Sequence, residues 1–253
     1  MYRPPAALQG NPLTMVKAAA AYSAVQGRGQ SRYPTMNAGN GRCVVQNFEQ
    51  VSGIGANASF TANVFQINPA NATTFPWLTS IGQNYQKFRF LNLRFIWTPI
   101  CSTTTTGSVY LYIAYDYLDT TPTTLAQVTA SDTSCSGNAW FGAAINQQSA
   151  FARDMSTATN IFVDYDPTRV GSPWYYCRDV STQSTSGVSL TGTPTGGLGT
   201  LAVTQGTIVD ALSIPCRLIA GVDTTNPTAG TLGYVYAAYT VEFADPIAAT
   251  LNI

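Results

Sequence analysis

Between Gln86 and Tyr117 the chain carries two long runs in which apolar or aromatic residues alternate with polar ones. They read QKFRFLNLRFIWT and SVYLYIAYDY, and a Ser/Thr/Gly stretch divides them. A period of two sends successive side chains to opposite faces of an extended strand, and a 3.6-residue helix cannot accommodate it. Val109, Leu111 and Ile113 therefore share one face, and Tyr110 and Tyr112 the other. The same pattern returns near the end of the chain, where Val235, Ala237, Tyr239, Val241 and Phe243 form the expected core face.

Gly, Pro, Asn and Thr clusters divide the rest of the chain into further short runs. Strands are expected at Cys43–Val51, Ser59–Ile67, Gln86–Thr98, Ser108–Tyr117, Ala139–Ala144, Asn160–Tyr165, Ile214–Val222 and Gly230–Phe243. These make an all-β fold of eight strands, the number of an antiparallel jelly-roll β-sandwich. Short helices are expected within Trp77–Tyr85 and Thr123–Ala130. The Ser/Thr/Gly-rich stretch Val180–Thr207 has no apolar period and reads as a long loop.

Charge divides the chain differently. Arg3, Lys17, Arg28, Arg32 and Arg42 fall in residues 1–42 with no acid, about +5; the remainder carries seven basic and twelve acidic residues, about −5. Residues 1–41, rich in Pro and Gly, read as a flexible basic N-terminal arm, and 42–253 as the folded domain. Such asymmetry points to a polyanion as partner. Only 9% of residues are charged, against roughly 25% in an ordinary soluble domain. A surface so short of charge suits a subunit that buries much of itself against copies of itself. Five dispersed cysteines without a CxxC argue for free thiols. No signal peptide and no run long enough to span a membrane are read.

Four segments carry a family resemblance: FPWL at Phe75–Leu78, YQKFRFLNLRFIWTP at Tyr85–Pro99, TTGSVYLYIAYDYLDTTP ending at Pro122, and AGTLGYVYAAYTVEFADP ending at Pro246. In order and spacing they resemble the shell domain of single-jelly-roll capsid proteins from small icosahedral positive-strand RNA viruses, of sobemovirus and tombusvirus type. The resemblance implies a coat protein that self-assembles into an icosahedral shell, a multiple of 60 subunits, around the RNA genome. It implies a virion built in the host cytoplasm and an arm that meets RNA inside the shell. With only Ala244–Ile253 after the last strand, it implies no protruding domain. The alternative is a secreted β-sandwich module that binds carbohydrate or adheres to surfaces.

The absence of histidine removes Ser-His-Asp and Cys-His catalysis and the commonest general base near neutral pH. Nothing in the sequence makes a positive case for an enzyme or for a small-molecule substrate. Asp164 and Asp166 read as a solvated or Arg-paired strand end rather than as a glycosidase pair.

Asp116-Tyr-Leu-Asp119 is the strongest chemical candidate. Two carboxylates three residues apart across a turn suit one hard cation such as calcium, which takes six to eight oxygens. The resemblance implies an interface calcium site made by Asp116 and Asp119 with Asn252 of a neighbouring copy, although the chain ends Leu-Asn-Ile rather than in paired asparagines. The other reading is that Asp116 caps the turn and Asp119 serves a helix beginning at Thr120–Thr123. Arg3, Lys17, Arg28, Arg32 and Arg42 are the nucleic-acid candidates. Lys87, Arg89 and Arg94 either add an inner basic surface or are ordinary solvated or ion-paired side chains.

Overall fold

A computed structural model describes residues 34–116, 119–142, 145, 150–151, 160–178, 212–223 and 230–248. Ten strands and two short helices occur there in the order β1 (Thr35–Gly39), β2 (Arg42–Gly55), β3 (Thr61–Gln66), α1 (Thr79–Gly82), β4 (Tyr85–Pro99), β5 (Ser108–Ala114), α2 (Leu125–Thr129), β6 (Ser134–Asn138), β7 (Ile161–Asp164), β8 (Tyr175–Tyr176), β9 (Arg217–Asp223) and β10 (Thr231–Pro246). One sheet runs β1-β2-β10-β4-β7, with β8 also pairing β4; the other runs β3-β9-β5-β6. All pairings are antiparallel. Set aside β1 and the two-residue β8, and the remaining eight strands have the order of a jelly roll.

The alternating runs face each other across the sandwich. Val235, Ala237, Tyr239, Val241 and Phe243 of β10 are fully buried, as are Val109 and Leu111 of β5 and Phe88, Leu93, Phe95 and Trp97 of β4. Burial at roughly 25 cal/mol per Å2 of apolar surface makes this seam the main source of stability. The opposite face of β5 is covered as well. Tyr110 is 5% exposed beside the Phe60 ring, and Tyr112 hydrogen-bonds Ser131 beyond α2. All five cysteines are free, with Cys43, Cys177 and Cys216 buried.

The strand expected at Ala139–Ala144 lies instead at Ser134–Asn138. Trp140 and Phe141 make the apolar signal, but they sit in a turn just after β6, and the Ala139 carbonyl accepts the Trp97 indole N–H at 3.0 Å. The true strand, SCSGN, is a polar edge with no alternation to find. β1 also lay outside the expected strands. Its signal is Asn40-Gly41, two residues at positive φ (52° and 72°) that close a two-residue hairpin. Regular pairing thus reaches back to Thr35, inside the segment read as the arm. The remainder of that arm and all of Val180–Thr207 lie outside the described residues.

Glu49 of β2 ties the FPWL turn and β10 to its own strand. Its carboxylate accepts the Trp77 backbone N–H at 2.7 Å and the Tyr239 hydroxyl at 2.6 Å. The FPWL turn is thereby pinned to β2 and β10. Burial outweighs these hydrogen bonds and pushes the Glu49 pKa up. The folded state therefore keeps a proton that the unfolded chain has already released. Glu49's contribution is greatest below the ordinary carboxylate pKa and is lost as pH rises through the raised folded value. Melting temperatures of the native protein and Glu49→Gln, measured from pH 4 to pH 8, should diverge through that window. Parallel curves would contradict the assignment.

Candidate functional site: an acidic turn and a basic face

After β5 the chain turns away from the second sheet, and the Asp119 N–H donates to the Asp116 carbonyl at 3.3 Å. Asp116 and Asp119 are both exposed at this turn. Beneath it lies Arg217, the first residue of β9 and only 3% exposed. Its Nη2 donates to the Asp116 carbonyl at 3.2 Å and also to the Asp119 carbonyl. Burial lowers the Arg217 pKa, and the nearby Asp119, Tyr112 and Asp116 oppose that shift.

The helix-start reading of Asp119 is corrected by the structure. Helix α2 begins at Leu125 with Thr124 as its N-cap and no acid in its first turn. Gln127 turns back to accept the backbone N–H groups of Thr123 (2.7 Å) and Thr124 (3.3 Å), which completes that end without Asp119.

Among the described residues no group of three or more His, Cys, Asp or Glu side chains comes together as a metal site. Asp116 and Asp119 are two exposed carboxylates, short by themselves of the six to eight oxygens that a calcium ion takes. Asn252, the third residue implied, lies outside the described residues.

A second cluster forms where β2 begins and β10 ends. On the outer face of the first sheet, Ala244 of β10 lies between Arg42 and Lys87, and Glu242 lies between Val44 and Arg89. The Glu242 carboxylate, 9% exposed, takes Arg42 Nη1 at 3.1 Å and Arg89 Nη2 at 2.6 Å. The Trp174 ring packs on both guanidiniums, 4.7 Å from Arg89 and 5.7 Å from Arg42. Lys87 pairs with Asp245 at 2.8 Å, opposite the exposed Tyr176; Arg178 is exposed next along the chain.

Lys87 and Arg89 therefore belong to this face and are ion-paired within it. Arg94 belongs elsewhere: it forks onto Asp164 (2.5 and 2.9 Å) and stacks on Phe162. Asp164 is thus Arg-paired, while Asp166 accepts the Thr168 N–H and hydroxyl and lies 3.7 Å from Arg169. Of the nucleic-acid candidates, Arg42 is on this face; Arg3, Lys17, Arg28 and Arg32 lie outside the described residues. The sequence reading passed over Arg217, Trp174 and Arg178. A lone cation in the apolar run of CRLIAGV was the available signal for the first.

The two-sheet jelly roll is the fold of the virus capsid structures that this chain resembles. The family described as viral coat protein (S domain) matches residues 16–249, and the chain belongs to it.

The capsid protein of tobacco necrosis virus (strain A) is 29% identical over 177 residues, 70% of this chain and 56% of that protein. The capsid protein of strain D is 28% identical over 88% of this chain and 75% of its own length. Among solved structures, tobacco necrosis virus matches with a TM-score of 0.70 at 23% identity, over 88% of this chain and 91% of that one. Cocksfoot mottle virus matches with a TM-score of 0.61 at 16% identity, covering 82% and 97%. These likenesses give the sugar-binding alternative no support. Among the described residues no helix is long and apolar enough to cross a membrane.

Proposed function

We propose that this chain is a capsid subunit that self-assembles into a closed icosahedral shell, a multiple of 60 copies, around viral RNA in the host cytoplasm. The observation that carries this is the family match over residues 16–249, which spans both sheets of the jelly roll. The protein works by assembly rather than catalysis. Its low charge favours large neutral contacts between copies, which resemble a domain core more than an ordinary surface. RNA is held without sequence reading. Arg3, Lys17, Arg28 and Arg32 of the arm lead into Arg42, and from there the basic face runs through Lys87, Arg89 and Arg178. Cations in such an array neutralise phosphates, and many weak copies inside a closed shell act together.

Asp116 and Asp119 fit half of a calcium site, with Asn252 of a neighbouring copy as the implied complement. Bound there, calcium would screen carboxylates that otherwise repel across an interface. The two side chains hold the exposed carboxylate oxygens, and the Asp116–Asp119 backbone bond keeps them at the ends of one turn.

Negative-stain microscopy with sedimentation tests the whole reading. Purified protein at neutral pH with millimolar calcium should give uniform spherical particles. Adding a chelator above neutral pH should swell or loosen them. A monomer near 27 kDa, unchanged by RNA or calcium, would overturn the capsid proposal. Intact particles indifferent to chelator, with no bound metal, would overturn the calcium part alone.

A further inference from the structure

The acidic turn already holds a cation of its own. We propose that Arg217 is the resident cation of the Asp116–Asp119 turn, shaping it from inside the subunit and lowering both its affinity for a divalent ion and its dependence on one. This deepens the calcium reading above and rests on it for the ion's identity.

Register places Arg217 opposite Ala114 of β5 and Gln66 of β3. Its neighbours Leu218, Ala220 and Val222 belong to the core cluster. Alternation therefore sends the Arg217 side chain to the other face, where the chain leaves β5. A guanidinium that is 97% covered needs matched acceptors and compensating charge. Nη2 finds the two carbonyls that bracket the turn, whereas Nε is buried with no partner. Among the described residues Arg217 forms no ion pair within 4 Å, so its compensating charge comes at longer range from Asp119 and Asp116.

Two consequences follow for a metal at this turn. Calcium sites usually draw on backbone carbonyls as well as carboxylates. Here the Asp116 carbonyl serves both Asp119 N–H and Arg217, and the Asp119 carbonyl serves Arg217. Those carbonyl oxygens are engaged by the protein itself, so an arriving ion meets them already hydrogen-bonded. A fixed positive charge beneath the turn also repels an arriving divalent ion while attracting the same carboxylates. The two ends of the turn, Asp116 and Asp119, are thus held together before any neighbour or ion arrives. The ion becomes a second, weaker cation, bound when another copy supplies further oxygens.

Calcium titration into chelator-stripped particles of the native protein, Arg217→Met and Arg217→Lys tests this. Arg217→Met should bind calcium at least tenfold more tightly, and its particles should loosen in chelator under conditions where native particles persist. Arg217→Lys keeps the charge and should stay near native in affinity. Equal affinity in all three, with equal response to chelator, would overturn the role of Arg217 and leave the calcium site standing. If no form binds calcium but Arg217→Met particles are labile and Arg217→Lys restores them, the calcium reading falls and the resident cation is upheld. If no form binds calcium and all are equally stable, both fall.

Should Arg217→Met fail to fold, Asp119→Asn decides the matter in metal-free buffer. A resident cation that loses its compensating charge should lower the melting temperature by several degrees. No change there would overturn the proposal.

Discussion

Replacing Trp97 with alanine is expected to remove a large share of the domain's stability. Trp97 is fully buried in β4, and its indole N–H donates to the Ala139 carbonyl at 3.0 Å. Truncating a large aromatic in a core costs about 3–5 kcal/mol. Stranding the Ala139 carbonyl adds about 1–3 kcal/mol. A domain of this kind is stable by only about 5–15 kcal/mol in total. Trp97→Phe keeps much of the packing and loses the hydrogen bond, so it should sit between the two. Gly233 supplies an independent check from the opposite strand. A Cβ there would lie 2.5 Å from the Thr98 carbonyl oxygen and 2.6 Å from the Trp97 ring, so Gly233→Ala should also be strongly destabilising. Urea unfolding followed by tryptophan fluorescence and circular dichroism measures all three. A Trp97→Ala protein with native-like stability would mean that the two sheets do not pack around this ring.

Deleting residues 1–30 is expected to leave the jelly roll folded while stripping the particles of much of their RNA. The deletion removes Arg3, Lys17 and Arg28, and the hairpin that begins at Thr35 is retained. Each phosphate contact to single-stranded nucleic acid contributes a log–log salt slope of about 0.7, so losing three cations should flatten the slope by about 2. Filter binding across a salt series gives that slope, and the absorbance ratio of purified particles gives their RNA content. Unchanged RNA content and particle size would remove the arm from the account and leave the basic face around Arg42, Arg89 and Trp174 as the contact to pursue.

Legibility in the sequence followed the range of the interaction involved. The core faces of β5 and β10 were readable because alternation is a local property of an extended backbone. Val235, Ala237, Tyr239, Val241 and Phe243 are fully buried, as that alternation requires. The α2 region was readable from its Thr start and its Leu/Val pair, and Val128 is indeed buried. β6 was not readable, because an edge strand with few apolar contacts needs no alternation. Its neighbouring Trp140 and Phe141 drew the expectation toward a turn. β1 was marked only by Asn40-Gly41, a signal of two residues.

The candidate site divides the same way. Asp116 and Asp119 stand three positions apart on one turn, so their proximity was visible in the chain itself. That Arg217 lies beneath them depends on β9 pairing with β5 across about a hundred intervening residues. The joining of Arg42 and Arg89 through Glu242 depends on β10 lying between β2 and β4. Period, turn chemistry and charge runs are properties of neighbouring residues, so the chain alone sets which segments extend and which side of each is apolar. Which charges meet is set by strand order and register, because those bring distant segments within the few ångströms over which a hydrogen bond or ion pair acts.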